Sequence, residues 1–131
     1  MNKNLPLSNI VVLDLTNVLS GPFATQILSD LGAEIIKVEK PNGDDSRKFG
    51  PFIKKRSSYF ISLNRGKKSI VVDFNNEEDK KIFKKLLAIS DVIIDNFKPG
   101  TLEKYGFSSS YLKKNFPLLI QTKISGFGET G

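Results

Sequence analysis

"IVVLDLTNVLSGPFATQILSDLGAEIIKVEK", residues 10–40, contains a complete strand–helix–strand unit. Its two ends, "IVVLDL" (10–15) and "AEIIKVEK" (33–40), are short runs rich in Val and Ile, the composition of β-strands. The first is almost continuously apolar, as a strand covered on both faces of a parallel sheet must be. Between them, "GPFATQILSDLG" reads as a helix. Ser20 and Gly21 stand at its entry, Pro22 at the first helical position and Gly32 at its exit. Phe23, Ala24, Ile27, Leu28 and Leu31 form one apolar stripe along it.

The same pattern continues downstream. "SIVVDF" (69–74), "DVIIDNF" (91–97) and "LLIQTKIS" (118–125) read as three further strands, the first two with apolar runs suited to burial on both faces. "NNEEDKKIFKKLLAIS" (75–90) reads as a helix with Asn caps and three acidic residues in its first turn, where they complement the helix dipole. Ile82, Phe83, Leu86 and Leu87 are expected to face the core, and the lysines at 80, 81, 84 and 85 the outside. "TLEKYG" and "SSYLKKNF" read as two short helices, and residues 41–68 as irregular. Alternating strands and helices specify an α/β fold: an open, parallel, Rossmann-like sheet with helices on both faces. Ligands of such sheets sit at the carboxyl ends of the strands. Those ends are "DLTNVLSGP", "KVEKPNGDD", "VDFNN", "DNFKPG" and "KISGFGETG", all polar and turn-rich.

At 131 residues the chain is at most one ordinary domain. With neither Cys nor His, it has no disulfide, no thiolate metal site and no His-based acid–base or triad chemistry. No metal site is expected. "MNKNLPLSN" has no apolar signal region, and no apolar run approaches the roughly 18 residues that span a bilayer. A cytoplasmic protein with no membrane partner is expected. The net charge of +6 has two readings: an anionic partner, either nucleic acid or a phosphate-bearing small molecule, or a Lys-rich solvated surface. No basic run is long enough for a nucleic-acid tail. "FIKKRSSYF" is the densest basic and aromatic patch, too short for an RNA-binding claim.

Each chemistry-bearing stretch has a structural and a functional reading. "LSGPFAT" offers the free N–H groups of a helix start to a phosphate or carboxylate, or is a plain turn. Asp44 and Asp45 in "NGDDSRKFGP" are either an acid–base pair or a turn that caps itself. Arg65, Lys67 and Lys68 around Gly66 face phosphates or form a solvated turn. In "DNFKPG" an amide, an aromatic face and Lys98 suit a planar base such as adenine, or Phe97 is core. The terminal Gly126, Gly128 and Gly131 have G-x-G-x-x-G spacing, but no helix and no acidic residue follow, so the dinucleotide reading is rejected. Asp14, inside an apolar strand, reads as structural.

Taken in order, these stretches resemble one family. "VLDLTNVLSGPFATQILSDLGAEIIKVEKP", "GDDSRKFGP", "SYF", "NRGKKSIVVDF", "DVIIDNFKPGTLEKYGF" and "ISGFGETG" are similar to the N-terminal portion of the class III coenzyme A transferases. That family includes formyl-CoA transferase, the carnitine and succinyl-CoA:dicarboxylate CoA-transferases and the divergent alpha-methylacyl-CoA racemase. The resemblance covers nearly the whole chain in the family's order.

It implies an N-terminal CoA-binding Rossmann-like domain over residues 1–131, with a second domain and a returning segment absent, so that the family fold is incomplete here. Full-length members form an interlocked homodimer. Coenzyme A and acyl-CoA enter as substrates alongside small carboxylates, and no permanently bound cofactor is implied. By position, the resemblance implies CoA contacts at Asn17 and Val18, at Lys40 near the adenosine phosphate, and at Val72 and Asn75 beside the adenine. Asn96 and Phe97 form a further contact pair, and Lys104 and Tyr105 another. Lys40 and Lys104 replace Arg, and Asn75 replaces Lys; Lys keeps the charge and loses bidentate phosphate geometry. Leu19 stands where formyl-CoA transferase has a Gln serving its acyl intermediates, which argues against formyl or oxalyl specificity.

The family nucleophile is an Asp that forms acyl anhydride and thioester intermediates. None of the eight Asp residues here matches it. The chain reads as the CoA-binding part of an acyl-CoA:carboxylate CoA-transferase; a stand-alone CoA- or nucleotide-binding module and a racemase-like fragment remain alternatives. A basic nucleic-acid binder is a third class, tested by salt-sensitive DNA binding without CoA binding. The 131 residues alone are expected to catalyse no transfer of CoA from succinyl-CoA to a dicarboxylate, and measurable exchange by the purified chain would overturn that expectation.

Overall fold

The structure, a computed structural model, describes residues 4–128. The unit at 10–40 forms as its sequence requires: strand β1 (Val11–Asp14), helix α1 (Ser20–Asp30) and strand β2 (Glu34–Glu39). A short 3-10 turn (Asp45–Lys48), a hairpin of β3 (Phe52–Ile53) and β4 (Arg56–Ser57), and helix α2 (Ser58–Asn64) follow. Next come β5 (Lys68–Val71), α3 (Glu77–Ile89), β6 (Val92–Asp95), α4 (Thr101–Lys104), α5 (Ser109–Asn115) and β7 (Ile120–Lys123). Five strands form one wholly parallel sheet in the order β5-β2-β1-β6-β7. By appearance within the sheet this is third, second, first, fourth, fifth, the doubly wound order whose direction reverses beside the first strand.

Apolar residues of opposite strand parity fill the two faces. Leu13, Leu15, Ile36, Val38 and Ile93 pack with Phe83 and Leu87 of α3, Leu102 of α4, Phe107 of the α4–α5 connection and Leu112 of α5. Phe74, Phe83, Phe107 and Tyr111 join this core through edge-to-face ring contacts. The other face is smaller: Val12, Ala33, Ile35 and Ile94, with Leu28 of α1 against them. Asn76 caps α3 by accepting from the amides of Glu78 and Asp79, as its sequence predicts.

Several expectations are corrected. The stretch at 41–68 is not irregular throughout; it contains the hairpin and α2. Its turn residues Lys54 and Lys55 both have positive φ, the geometry a two-residue hairpin demands, without the usual Asn or Gly to announce it. The third sheet strand is not buried on both faces, because β5 is an edge strand and is largely exposed. Ile82 is exposed, leaving Phe83 and Leu87 as the buried residues of α3. The Gly32 exit of α1 is left-handed, with φ of 105°. The apolar stripe of α1, however, lies only partly on the core: Leu28 packs there, but Phe23, Ile27 and Leu31 are 55%, 45% and 41% exposed, and the helix buries Gly21, Pro22, Thr25 and Gln26. The cause is the surface beneath. On that face Val12 and Ile35 are followed, two residues on, by Asp14 and Lys37, so the carboxyl end of the sheet presents charge to the first half of the helix.

Phe23 and Ile27, one turn apart, therefore leave an apolar strip outside. Replacing both with Lys is expected to reduce self-association in sedimentation while changing stability by no more than about 0.5 kcal/mol. Unchanged association, or a large loss of stability, would contradict the exposed placement.

Candidate functional site

The direction of the sheet reverses between β1 and β6, and the chain ends leaving these strands form an open crevice. Asn17, Val18, Leu19, Ser20, Asp45, Asn96 and Phe97 line it, over a volume of about 440 Å³. The floor is fixed by hydrogen bonds. Asn17 N–H donates to Asn96 Oδ1 at 2.9 Å, and Asn96 Nδ2 donates back to the Asn17 carbonyl at 2.9 Å. Phe97 N–H donates to Asp95 Oδ1 at 3.1 Å, which turns the chain so that Phe97 lies half-buried between crevice and core. One wall is the start of α1, where Leu19 occupies the cap position without a side-chain cap. The turn into this helix is so close that a Cβ at Gly21 would stand 2.2 Å from Thr16 Cβ; only glycine fits there without displacing the strand end.

Beneath the crevice lies a charged quartet. Lys37 Nζ donates to the Thr16 carbonyl at 2.8 Å and lies 2.9 Å from Asp44 Oδ2, with both side chains buried. That buried ion pair is what compensates the charge on Oδ2. Asp44 Oδ1 accepts from Val18 N–H at 3.2 Å and from both the amide and hydroxyl of Ser46. Beside it, Asp14 accepts from Thr16, Thr25 and Lys67. Two buried cations thus face two buried anions, which balances their charge where solvent cannot.

A second group extends this network outward. Glu39 takes Arg47 on both oxygens, at 2.7 and 2.6 Å, together with the Ser69 hydroxyl and the Asp44 amide. Arg47 also lies 3.8 Å from the centre of the Phe60 ring. Burial pushes the Glu39 carboxyl upward, but the hydrogen bonds from Arg47, Ser69 and Asp44 prevail and hold it down at about 2. Burial likewise opposes ionisation of Asp44, and the Lys37 and Ser46 contacts outweigh it, leaving its pKa below the ordinary value. Burial lowers the Lys67 ammonium and raises the Asp95 carboxyl.

The residues expected at the site fall into two groups. Asn17, Val18, Asn96 and Phe97 meet in the crevice. Lys40 reaches its rim through an exposed pair with Asp45 at 2.8 Å. The remainder lies about the ends of β5 and α4: Tyr105 stacks on Phe74 with centroids 5.2 Å apart, exposed Asn75 is held by Asp73, and Lys104 ends α4. Val72 is buried in the core beneath them. Asp44 and Asp45 do not converge; the first caps its own turn and the second points outward. Lys67 is neither solvated nor turned outward, being buried against Asp14, Thr25, Asn64 and the Pro22 carbonyl, whereas Arg65 and Lys68 form exposed pairs with Asp30 and Glu34. Asp14 is structural, as its setting in an apolar strand implies. Gly131 lies outside the described residues. The residue that sequence reasoning missed is Lys37, whose only signal is a cation inside the apolar run "EIIKVE".

Glu39 makes the network acid-sensitive. With a folded value of about 2 against 4.5 ordinarily, it contributes stability above about pH 4.5 that is lost as pH falls toward 2. Its share is about 3 kcal/mol, Asp44 adds in the same direction, and Asp95, raised by burial, partly offsets them. Urea unfolding from pH 6 to about 2 should show this fall, and Glu39→Gln should remove most of Glu39's share. An equal slope in the variant would contradict the assignment.

Comparison with known proteins supplies an independent line. The family model of CoA-transferase family III matches residues 7–131. The chain is 47% identical over 127 residues to an acetyl-CoA:oxalate CoA-transferase of Acetobacter aceti, covering 96% of this chain and 33% of that protein. It is 47% identical over 133 residues to a succinyl-CoA:glutarate CoA-transferase of Homo sapiens, covering all of this chain and 30% of that protein. The crystal structure of a CAIB/BAIF family protein from Brucella suis superimposes with a TM-score of 0.92 at 46% identity, over 98% of this chain and 35% of that one. The chain spans about a third of the length of the relatives it matches.

Proposed function

The chain belongs to CoA-transferase family III, and from that premise we propose that it is the coenzyme A-binding part of an acyl-CoA:carboxylate CoA-transferase of the cytoplasm. The observation that carries the reading is the crevice between β1 and β6, with Asn17–Val18 on one strand end and Asn96–Phe97 on the other. It lies where a doubly wound sheet takes nucleotide-like ligands. Its walls combine main-chain polar groups, an uncapped helix start and one aromatic face, which suits a long ligand that is part amide, part planar base and part phosphate.

In this reading Val18 presents its carbonyl to the ligand beside the Asn17 side chain, and Phe97 packs against its apolar portion. Lys40 and Lys104 supply charge to phosphates as point cations. Tyr105 and Asn75 flank the adenine, with Val72 supporting them from the core. The buried Asp14 and Asp44 are spent on internal partners, so a nucleophile in the parent reaction would come from outside these residues. The parent enzyme would act as a homodimer, for which the exposed strip on α1 is a candidate contact.

Calorimetric titration with coenzyme A tests the reading. Phe97→Ala, with folding checked by circular dichroism, should weaken binding about tenfold, and Lys40→Ala should both weaken it and reduce its salt dependence. Absence of binding to the unmodified chain, or equal affinity in both variants, would refute it.

A further inference from the structure

Val18 has φ of 70°, in the left-handed region that a β-branched residue avoids. Among the described non-glycine residues, only Lys54 and Lys55 share a positive φ, and their hairpin turn accounts for it. Val18 has no such turn, so something outside its own segment must hold it. Two side chains distant in sequence do so. Asn96, from the end of β6, grips both the N–H and the carbonyl of Asn17. Asp44, from the loop after β2, accepts the N–H of Val18 itself. Each clamp is fixed in turn. Asp44 is anchored by Lys37 and Ser46, and Asn96 follows β6, which lies parallel to β1 in register.

The same geometry limits what Asn96 can do. Its amide oxygen and one amide hydrogen are spent on Asn17, so the side chain serves the main chain before any ligand. We propose that Asn96 and Asp44 are positioning residues that hold Asn17–Val18 in a strained left-handed turn, so that the Val18 carbonyl, which neither clamp occupies, meets the ligand rather than the Asn96 amide. The ligand's identity rests on the coenzyme A reading; the clamp does not.

The test uses the full chain, labelled with nitrogen-15. Without ligand, Asn96→Ala should accelerate amide exchange at Asn17 and Val18 roughly tenfold or more, while Leu13 and Ile93 in the adjoining strands keep their protection. Asp44→Asn should act chiefly at Val18; if it fails to fold, Asn96→Ala decides. With coenzyme A as probe, Asn96→Ala should lose affinity by a similar factor. Adding Val18→Gly should restore much of that loss, because glycine takes positive φ without strain. Unchanged protection at Asn17 and Val18 in Asn96→Ala would overturn the clamp. So would a double variant that binds no better than Asn96→Ala alone. If the unmodified chain binds no coenzyme A, the coenzyme A reading fails and the exchange rates alone judge the clamp.

Discussion

The ammonium of Lys37 is buried where three segments meet, 2.8 Å from the Thr16 carbonyl just beyond β1 and 2.9 Å from the carboxylate of Asp44. Removing one partner of such a pair leaves a bare charge in the interior, at about 3–5 kcal/mol. The site above depends on the pair's completeness. Asp44, once anchored, can take the Val18 amide and cap the turn at 45–48. Its own amide reaches Glu39, which in turn gathers Arg47 and Ser69. A single chain of charges therefore links β2, β5 and the crevice loop. The crevice is braced from below and open above.

This interior also shapes the surface. Asp14, Lys37 and Glu39 take the carboxyl half of one sheet face, so α1 can bury only small and polar residues over them. Its larger apolar residues turn outward. The opposite face is filled by Phe83, Leu87, Phe107 and the strand aliphatics. The fold thus divides its work between an apolar side that supplies most of the buried hydrocarbon and a polar side that positions loops.

Much of this is legible in the order of residues. The five sheet strands announce themselves through Val- and Ile-rich runs bounded by turn residues, and Asn76 and Gly32 mark helix ends by ordinary capping chemistry. The crevice pair Asn96–Phe97 was visible through family resemblance and through its place after a strand. What stayed hidden depends on contacts between distant residues. The apolar run around Lys37 marks it as unusual without naming its partner, and nothing local tells that Lys67 folds inward onto Asp14. The face of α1 was misjudged because the period of a helix shows which residues align, not what lies beneath them. The β3–β4 hairpin was invisible because its turn is Lys-Lys.

In the coenzyme A reading, ligand recognition is concentrated where β1 and β6 diverge. The most direct measurement is an amide chemical-shift titration of the nitrogen-15 chain with coenzyme A. The largest shifts are expected at Asn17, Val18, Asn96 and Phe97, with smaller ones at Lys40, Asn75 and Tyr105. Shifts centred on the basic hairpin at Lys54–Arg56, or none at saturating coenzyme A, would contradict it.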